Sequence, residues 1–231
     1  KKTWTVKNSK IIPDVLSDAF SLAMKPRRGP VCVNLPRNIL GASNSYNINT
    51  KKPSFLNETS LKSNVEKIKK ASKIIQQSKQ FLIITGAGIK YNARFKEVIR
   101  LAELLNVPIV TAAGHGDAIP FNHKLNAGQM GPRGNPVASR LVKEADVILA
   151  IGTRLGFNST FYSYDNINKK AKIIQIEIEK KMLGKYFPVV VGINADAATA
   201  TNQIYNEIKK QRIKLDVKKW TNSYLKERRV Y

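Results

Sequence analysis

Three glycine-bearing turns carry the residues best suited to hold an anion. The stretch QFLIITGAGIKYNAR at 80–94 runs an apolar strand pattern into Thr85-Gly86-Ala87-Gly88 and then into a helical pattern. Strand, glycine turn and helix start in that order set backbone N–H groups where a phosphate can meet them. The same design recurs in VPIVTAAGHG at 107–116, ending on Gly114-His115-Gly116, and in DVILAIGTRLG at 146–156, which carries Gly152-Thr153-Arg154. Arg154 follows its strand directly, where a guanidinium suits a diphosphate. Arg133, in Gly131-Pro132-Arg133-Gly134, is a second candidate of that kind. Glu177 and Glu179 alternate with Ile176 and Ile178, so both face one side near a strand end, where a carboxylate can accept a ribose hydroxyl. A nucleotide-like ligand is expected where these turns gather.

Each residue also has an ordinary role. Gly86 and Gly88 suit a plain strand-to-helix turn as well as close approach to a ligand. His115 can contact a phosphate or only cap its loop, and a general base needs substrate geometry as well as a ring nitrogen. The two glutamates can be solvated, and Arg154 can pair with a neighbouring helix. Asp196 reads as the N-cap of a helix. His123 is the only other histidine, and no carboxylate cluster accompanies the pair, so we expect no metal site.

The elements that position these residues alternate. Strand patterns at 81–84, 108–111, 147–151, 172–178 and 189–191 are separated by helical ones. The helical patterns run on Leu61, Val65, Ile68, Ala71 and Ile75 (Ser60 the candidate N-cap), on Phe95, Val98, Ile99, Ala102 and Leu105, on Val137, Ala138, Leu141 and Val142, and over 196–210. Strands apolar on both faces with helices between them predict an α/β fold, a doubly wound parallel sheet with ligands at its carboxyl edge. Residues 61–210 form this domain. Residues 1–40 read as the end of another α/β domain: one helix (Ile12, Val15, Leu16, Ala19, Phe20, Ala23) and one buried-type strand at 31–35. Residues 41–60 are a polar linker. Residues 211–231, with Trp220 and Tyr224, read as a tail leading out.

At 231 residues, 42% of them hydrophobic, the chain has room for one large domain or a domain and a fragment. It opens on Lys1, which reads as an internal start. No apolar run approaches the ~20 residues that cross a bilayer, and no signal-peptide core is present. We expect no membrane partner and a cytoplasmic, reducing location, with the single Cys32 a buried structural thiol. Forty Lys and Arg against sixteen Asp and Glu give a net charge of +24, which draws anions, nucleic acid included. The lysines are spread over helix faces without interleaved aromatics, so a solvated basic surface is preferred and a nucleic-acid partner is not expected. A basic anion-binding domain is the alternative.

Together these residues resemble the thiamine diphosphate (ThDP)-dependent enzymes of the acetolactate synthase and pyruvate oxidase type, over nearly the whole chain. Arg28-Gly29-Pro30-Val31 and Leu35-Pro36-Arg37-Asn38 look like the end of that family's pyrimidine-binding domain, with Asn38 in place of its usual aspartate. The central domain is matched by Gly86-Ala87-Gly88, Gly114-His115-Gly116, Ala145-Asp146-Val147, Gly152-Thr153-Arg154-Leu155 and Ile176-Glu177-Ile178-Glu179, and by the run from Gly192 to Asp196. The resemblance implies a ThDP- and Mg2+-dependent decarboxylase or carboligase acting on a 2-oxo acid such as pyruvate, as a homo-oligomer. It also implies that FAD or ADP, where bound, lies on this domain. The family's catalytic glutamate and its Gly-Asp-Gly magnesium motif are not among these residues, so we expect no catalytic residue and no activity from this chain alone. Thr85-Gly86-Ala87-Gly88-Ile89 also looks like the opening motif of NAD-dependent sirtuins. One cysteine cannot supply their zinc quartet, and their Pro-Asp-Phe-Arg stretch is absent.

Overall fold

The computed structural model describes residues 1–25, 27–45, 63–90 and 94–227. The chain divides into two compact units, 1–59 and 60–231.

In the first unit β1 (Thr3–Thr5) and β2 (Cys32–Asn34) pair in parallel, Thr3 opposite Cys32. Helix α1 (Ile12–Met24) takes Pro13 in its first turn, where the missing N–H is harmless. A short α2 (Arg37–Leu40) follows β2. The expectation of a buried strand and a buried thiol is corrected here. Cys32 is exposed, and on α1 only Ala19 is buried while Phe20 is 63% exposed. Among the described residues of this unit, two strands and one long helix offer too few neighbours to cover both faces of either.

The second unit is built on six parallel strands: β3 (Phe81–Thr85), β4 (Ile109–Thr111), β5 (Asn126–Gln129), β6 (Val147–Ile151), β7 (Lys172–Glu177) and β8 (Val191–Asn194). Their order is β5-β4-β3-β6-β7-β8. The chain winds outward from β3 to β5, returns to the centre at β6 and winds out the other way. All five residues of β3 and of β6 are buried, as a central strand covered on both faces requires. The expected doubly wound α/β sheet is therefore present. Its reversal point lies between the carboxyl ends of β3 and β6.

Helix α3 (Val65–Gln76) is capped by Asn64, whose side chain accepts from the Glu66 and Lys67 amides. The Ser60 expectation lies outside the described residues. Helix α7 (Ala197–Lys210) is capped by Asp196 as expected, with Oδ1 3.1 Å from the Thr199 amide. It packs against α3 and α4 (Phe95–Leu105). Helix α4 does not start at the glycine turn. A 3-10 turn, Ala87–Ile89, comes first. At the amino edge Asp146 accepts from the Lys79 amide (2.8 Å), the Gln80 amide (3.2 Å) and the Ser78 hydroxyl, joining the starts of β3 and β6. Among the described residues no helix is long and apolar enough to cross a membrane.

Residues 211–227 are not a tail. Helix α8 (Lys218–Glu227) packs beside α5 (Pro136–Glu144) and puts Trp220 and Tyr224 into the core, 5% and 1% exposed. Trp220 Nε1 donates to the Phe81 carbonyl at 3.0 Å, and the Thr221 hydroxyl to the Asn106 carbonyl at 2.6 Å. The Tyr224 hydroxyl donates to the Asn126 carbonyl at 2.6 Å. Three side chains thus satisfy carbonyls along the amino edge of β3, β4 and β5. Tyr224→Phe should lower unfolding stability by about 1–3 kcal/mol, because it strands a buried carbonyl. Trp220→Ala should cost about 3–5 kcal/mol by opening a cavity. Denaturant midpoints of the variants measure both, and unchanged midpoints would restore the tail.

Candidate functional site

The turns singled out by sequence all open on the carboxyl edge, in the order of the strands that carry them. Gly114-His115-Gly116 follows β4, Gly86-Ala87-Gly88 follows β3, Gly152-Thr153-Arg154 follows β6, and Glu177 and Glu179 close β7. Arg133 is exposed in the loop between β5 and α5.

At the centre the glycines meet each other. A methyl group on Gly88 would lie 2.6 Å from Gly152 Cα, and one on Gly86 would lie 2.7 Å from Thr153 Cβ. Gly152 itself has φ +58°, a conformation that favours glycine. The amides here are already donated: Gly86 to the Ile151 carbonyl (3.1 Å), Gly88 to the Gly152 carbonyl (3.0 Å), Lys90 to the Ala87 carbonyl (3.2 Å) and Gly152 to the Ile176 carbonyl (2.9 Å). These glycines let two main chains touch. Their amides are not aimed at a phosphate.

Arg154 is exposed and its side chain lies over Gly156. Sequence reasoning missed what stands beside it. The loop after β6 forms a short helix, α6 (Phe157–Thr160), and displays Phe157, Phe161 and Tyr162, which are 53%, 48% and 46% exposed. Phe157 lies 4.9 Å from Phe161 and 5.6 Å from Tyr162 between ring centroids, and Tyr162 stacks on Tyr186 at 4.4 Å. Leu155, Phe161 and Tyr162 hold φ of 51°, 49° and 56°, left-handed values that non-glycine residues avoid. The Thr160 hydroxyl, 3.1 Å from the Leu155 carbonyl and accepting from the Tyr162 amide at 3.1 Å, helps to hold them. The hydrogen bond between the two tyrosine hydroxyls raises the Tyr162 pKa and lowers that of Tyr186, which Lys185 and Arg154 lower further. The signal for this cluster was the spacing FNSTFY, whose aromatics return to one side after a single helical turn.

Glu177 and Glu179 are half-buried and shape their own loop. Glu177 Oε1 accepts from the Glu179 amide at 3.3 Å, and Glu179 Oε1 meets Lys181 Nζ at 2.7 Å. Asp196 pairs with Arg94, which ties the start of α4 to the start of α7. His123 pairs with Glu103 at 3.3 Å. No group of three or more His, Cys, Asp or Glu able to hold a metal occurs among the described residues. His115 sits apart, with Nδ1 buried and without a hydrogen-bond partner. Burial holds its pKa below the ordinary 6.5, the Lys90 charge adds to that, and Asp117 opposes it.

Gly88→Ala must displace backbone, so it should destabilise by about 2–3 kcal/mol as an overpacked contact does. A methyl group on Gly114, at φ +81°, would meet no atom within 4 Å. Gly114→Ala should therefore cost only the backbone term, about 1–2 kcal/mol. Equal losses in a denaturation series would refute the close contact. The depressed His115 pKa means that the unfolded chain takes the proton first. The stability from neutral His115 is present in full above pH 6.5 and is lost as pH falls through the lower folded value. His115→Gln should thus lose less stability than the parent between neutral and mildly acid pH, read as the difference between their denaturation midpoints.

Comparison with known proteins agrees with this architecture. Residues 68–204 match the family model described as thiamine pyrophosphate enzyme, central domain. A probable sulfoacetaldehyde acetyltransferase of Rhizobium meliloti (strain 1021) is 31% identical over 88% of the chain and 34% of its own length. The acetolactate synthase large subunit of Buchnera aphidicola subsp. Schizaphis graminum is 29% identical over 100% of the chain and 40% of its own length. That of Buchnera aphidicola subsp. Schlechtendalia chinensis is 35% identical over 88% of the chain and 36% of its length. The chain thus spans little more than a third of these relatives. With the matched residues lying along the six-stranded sheet and its covering helices, the chain belongs to the family of thiamine pyrophosphate enzyme central domains.

Proposed function

We propose that this chain is the central-domain portion of a ThDP- and Mg2+-dependent transferase or carboligase of the acetolactate synthase type, which decarboxylates a 2-oxo acid such as pyruvate. The family match over 68–204 carries the reading. Residues 1–40 are the end of the preceding pyrimidine-binding domain. We assign no catalytic residue to this chain. Among the described residues no group of three or more His, Cys, Asp or Glu could hold a metal ion, and in this reading ThDP and Mg2+ lie mostly on other parts of the protein. The domain's part is to present a rigid carboxyl edge and to help assemble a homo-oligomer. A reducing compartment such as the cytoplasm suits the free, exposed Cys32.

An adenine nucleotide, as ADP or within FAD, fits the side chains of that edge better than its backbone. Arg154 supplies a cation for the phosphates, the Phe157, Phe161 and Tyr162 rings supply a surface for the base, and Glu177 supplies a carboxylate for the ribose. The glycines at 86, 88 and 152 contribute shape, because their amides are donated to the Ile151, Gly152 and Ile176 carbonyls, and Ala87 lies in the same turn. Gly114, Gly116, Thr153 and Glu179 line the same edge from the flanking loops. The nucleotide would supply binding energy and order to this edge.

The test is the full-length natural protein, assayed for consumption of pyruvate, alone and with sulfoacetaldehyde, with and without ThDP and Mg2+. Consumption that requires both cofactors is expected, and the sulfoacetaldehyde dependence separates the two named classes of relative. A full-length protein inert toward both substrates with ThDP bound would overturn the reading.

A further inference from the structure

Lys90, His115 and Asp117 form a charged cluster that bridges two loops beside the reversal point. Lys90 follows the 3-10 turn after β3, and His115 and Asp117 flank Gly116 in the turn after β4. Lys90 Nζ lies 2.8 Å from Asp117 Oδ1, with the two side chains 30% and 68% exposed. Beside this bridge, His115 Nδ1 is buried and meets no partner. A buried polar atom left alone forfeits roughly 1–3 kcal/mol, so its retention points to a group from outside the chain. The surrounding main chain leaves space and is fixed. A methyl group on Gly114 would meet nothing within 4 Å, while the Gly114 amide is held by Gln129 Oε1 at 3.0 Å.

We propose that Lys90 and His115 form a seat for a phosphoryl oxyanion, with Asp117 as the internal anion that holds Lys90 until the ligand arrives. An ammonium and an imidazole are a point charge and a directed donor, a pair suited to a tetrahedral anion. Asp117 is well exposed, so releasing its carboxylate to water is cheap. A more highly charged phosphate then replaces it against Lys90, and a turn of the His115 ring brings the buried Nδ1 to the anion. The seat lies on the β3 and β4 loops and uses neither Arg154 nor the aromatic rings. It therefore stands whether or not a nucleotide base binds beyond β6.

Calorimetric titration of the full-length protein with inorganic phosphate, and separately with ADP, tests this at fixed ionic strength. Lys90→Met and His115→Gln should each weaken binding about tenfold, the effect of losing one charge-assisted contact. Asp117→Asn should tighten it several-fold by freeing Lys90. Asp216→Asn, the same charge change at an exposed position outside the cluster, should leave it unchanged. General attraction to a chain of net charge +24 would tighten with Asp216→Asn as with Asp117→Asn, so an effect confined to the cluster separates a seat from that attraction. The pattern with inorganic phosphate identifies a free ion as occupant, and the pattern with ADP alone identifies the phosphoryl end of a nucleotide. Affinity for both ligands unchanged in the three cluster variants, or Asp117→Asn weakening binding as Lys90→Met does, overturns the proposal.

Discussion

The carboxyl edge depends on one contact, the meeting of the Gly88 and Gly152 main chains where β3 and β6 end. A doubly wound sheet ordinarily opens a crevice where its strand order reverses, because the loops on either side diverge. In this chain the two loops close on each other, and the Gly86 and Gly88 amides donate to the Ile151 and Gly152 carbonyls. The glycine amides are thereby withdrawn from ligand recognition, and the side chains that project beyond the contact are left to do that work. Arg154 and the aromatic rings stand on one side of it, Lys90 and His115 on the other. The glycine contact divides the edge into two chemically different halves.

The half beyond β6 is held in a conformation the chain would not choose by itself. Leu155, Phe161 and Tyr162 each adopt left-handed φ, at about 1–2 kcal/mol apiece for a residue with a side chain. Such residues persist only where the surroundings over-determine them. Here Thr160, with no exposed surface, fastens the loop through its hydroxyl, and the Ser159 hydroxyl accepts from the Ala113 amide at 3.0 Å. The outward display of Phe157, Phe161 and Tyr162 follows from this anchoring. A loop free to relax would fold those rings inward and hide apolar surface from water.

What could be read from the sequence follows from burial. FLIIT and VILAI are apolar on both faces, so the central strands declared themselves, and the helix patterns around them fixed the fold class. Strand β5, of sequence NAGQ, could not be found in that way. It is an edge strand held by backbone pairing with β4, and its Asn126 and Gln129 side chains serve neighbouring loops. Helix α8 escaped for a related reason. Lysines surround its few inward residues, and those act through hydrogen bonds to strand carbonyls, which no apolar periodicity records. Cys32 shows the converse error, an apolar run in a two-stranded unit that lacks the layers to bury it. The glycine turns were located correctly, but their purpose depends on a contact between residues more than sixty positions apart, which spacing along one turn cannot reveal.

This separation of scaffold from recognition bears on how far family membership reaches. The relatives matched here carry the names of two different activities at similar identity, 31% for a sulfoacetaldehyde acetyltransferase and 29% for an acetolactate synthase. The family model covers residues 68–204 of this chain, which carry the six-stranded sheet and the turns that close its centre. Core strands and glycine contacts tolerate little change, because each residue touches many others. The exposed side chains beyond them are under no such constraint. Family membership shown over this region therefore reports the platform. Substrate choice must be sought in residues that touch substrate, and among the described side chains none has been assigned a reacting group.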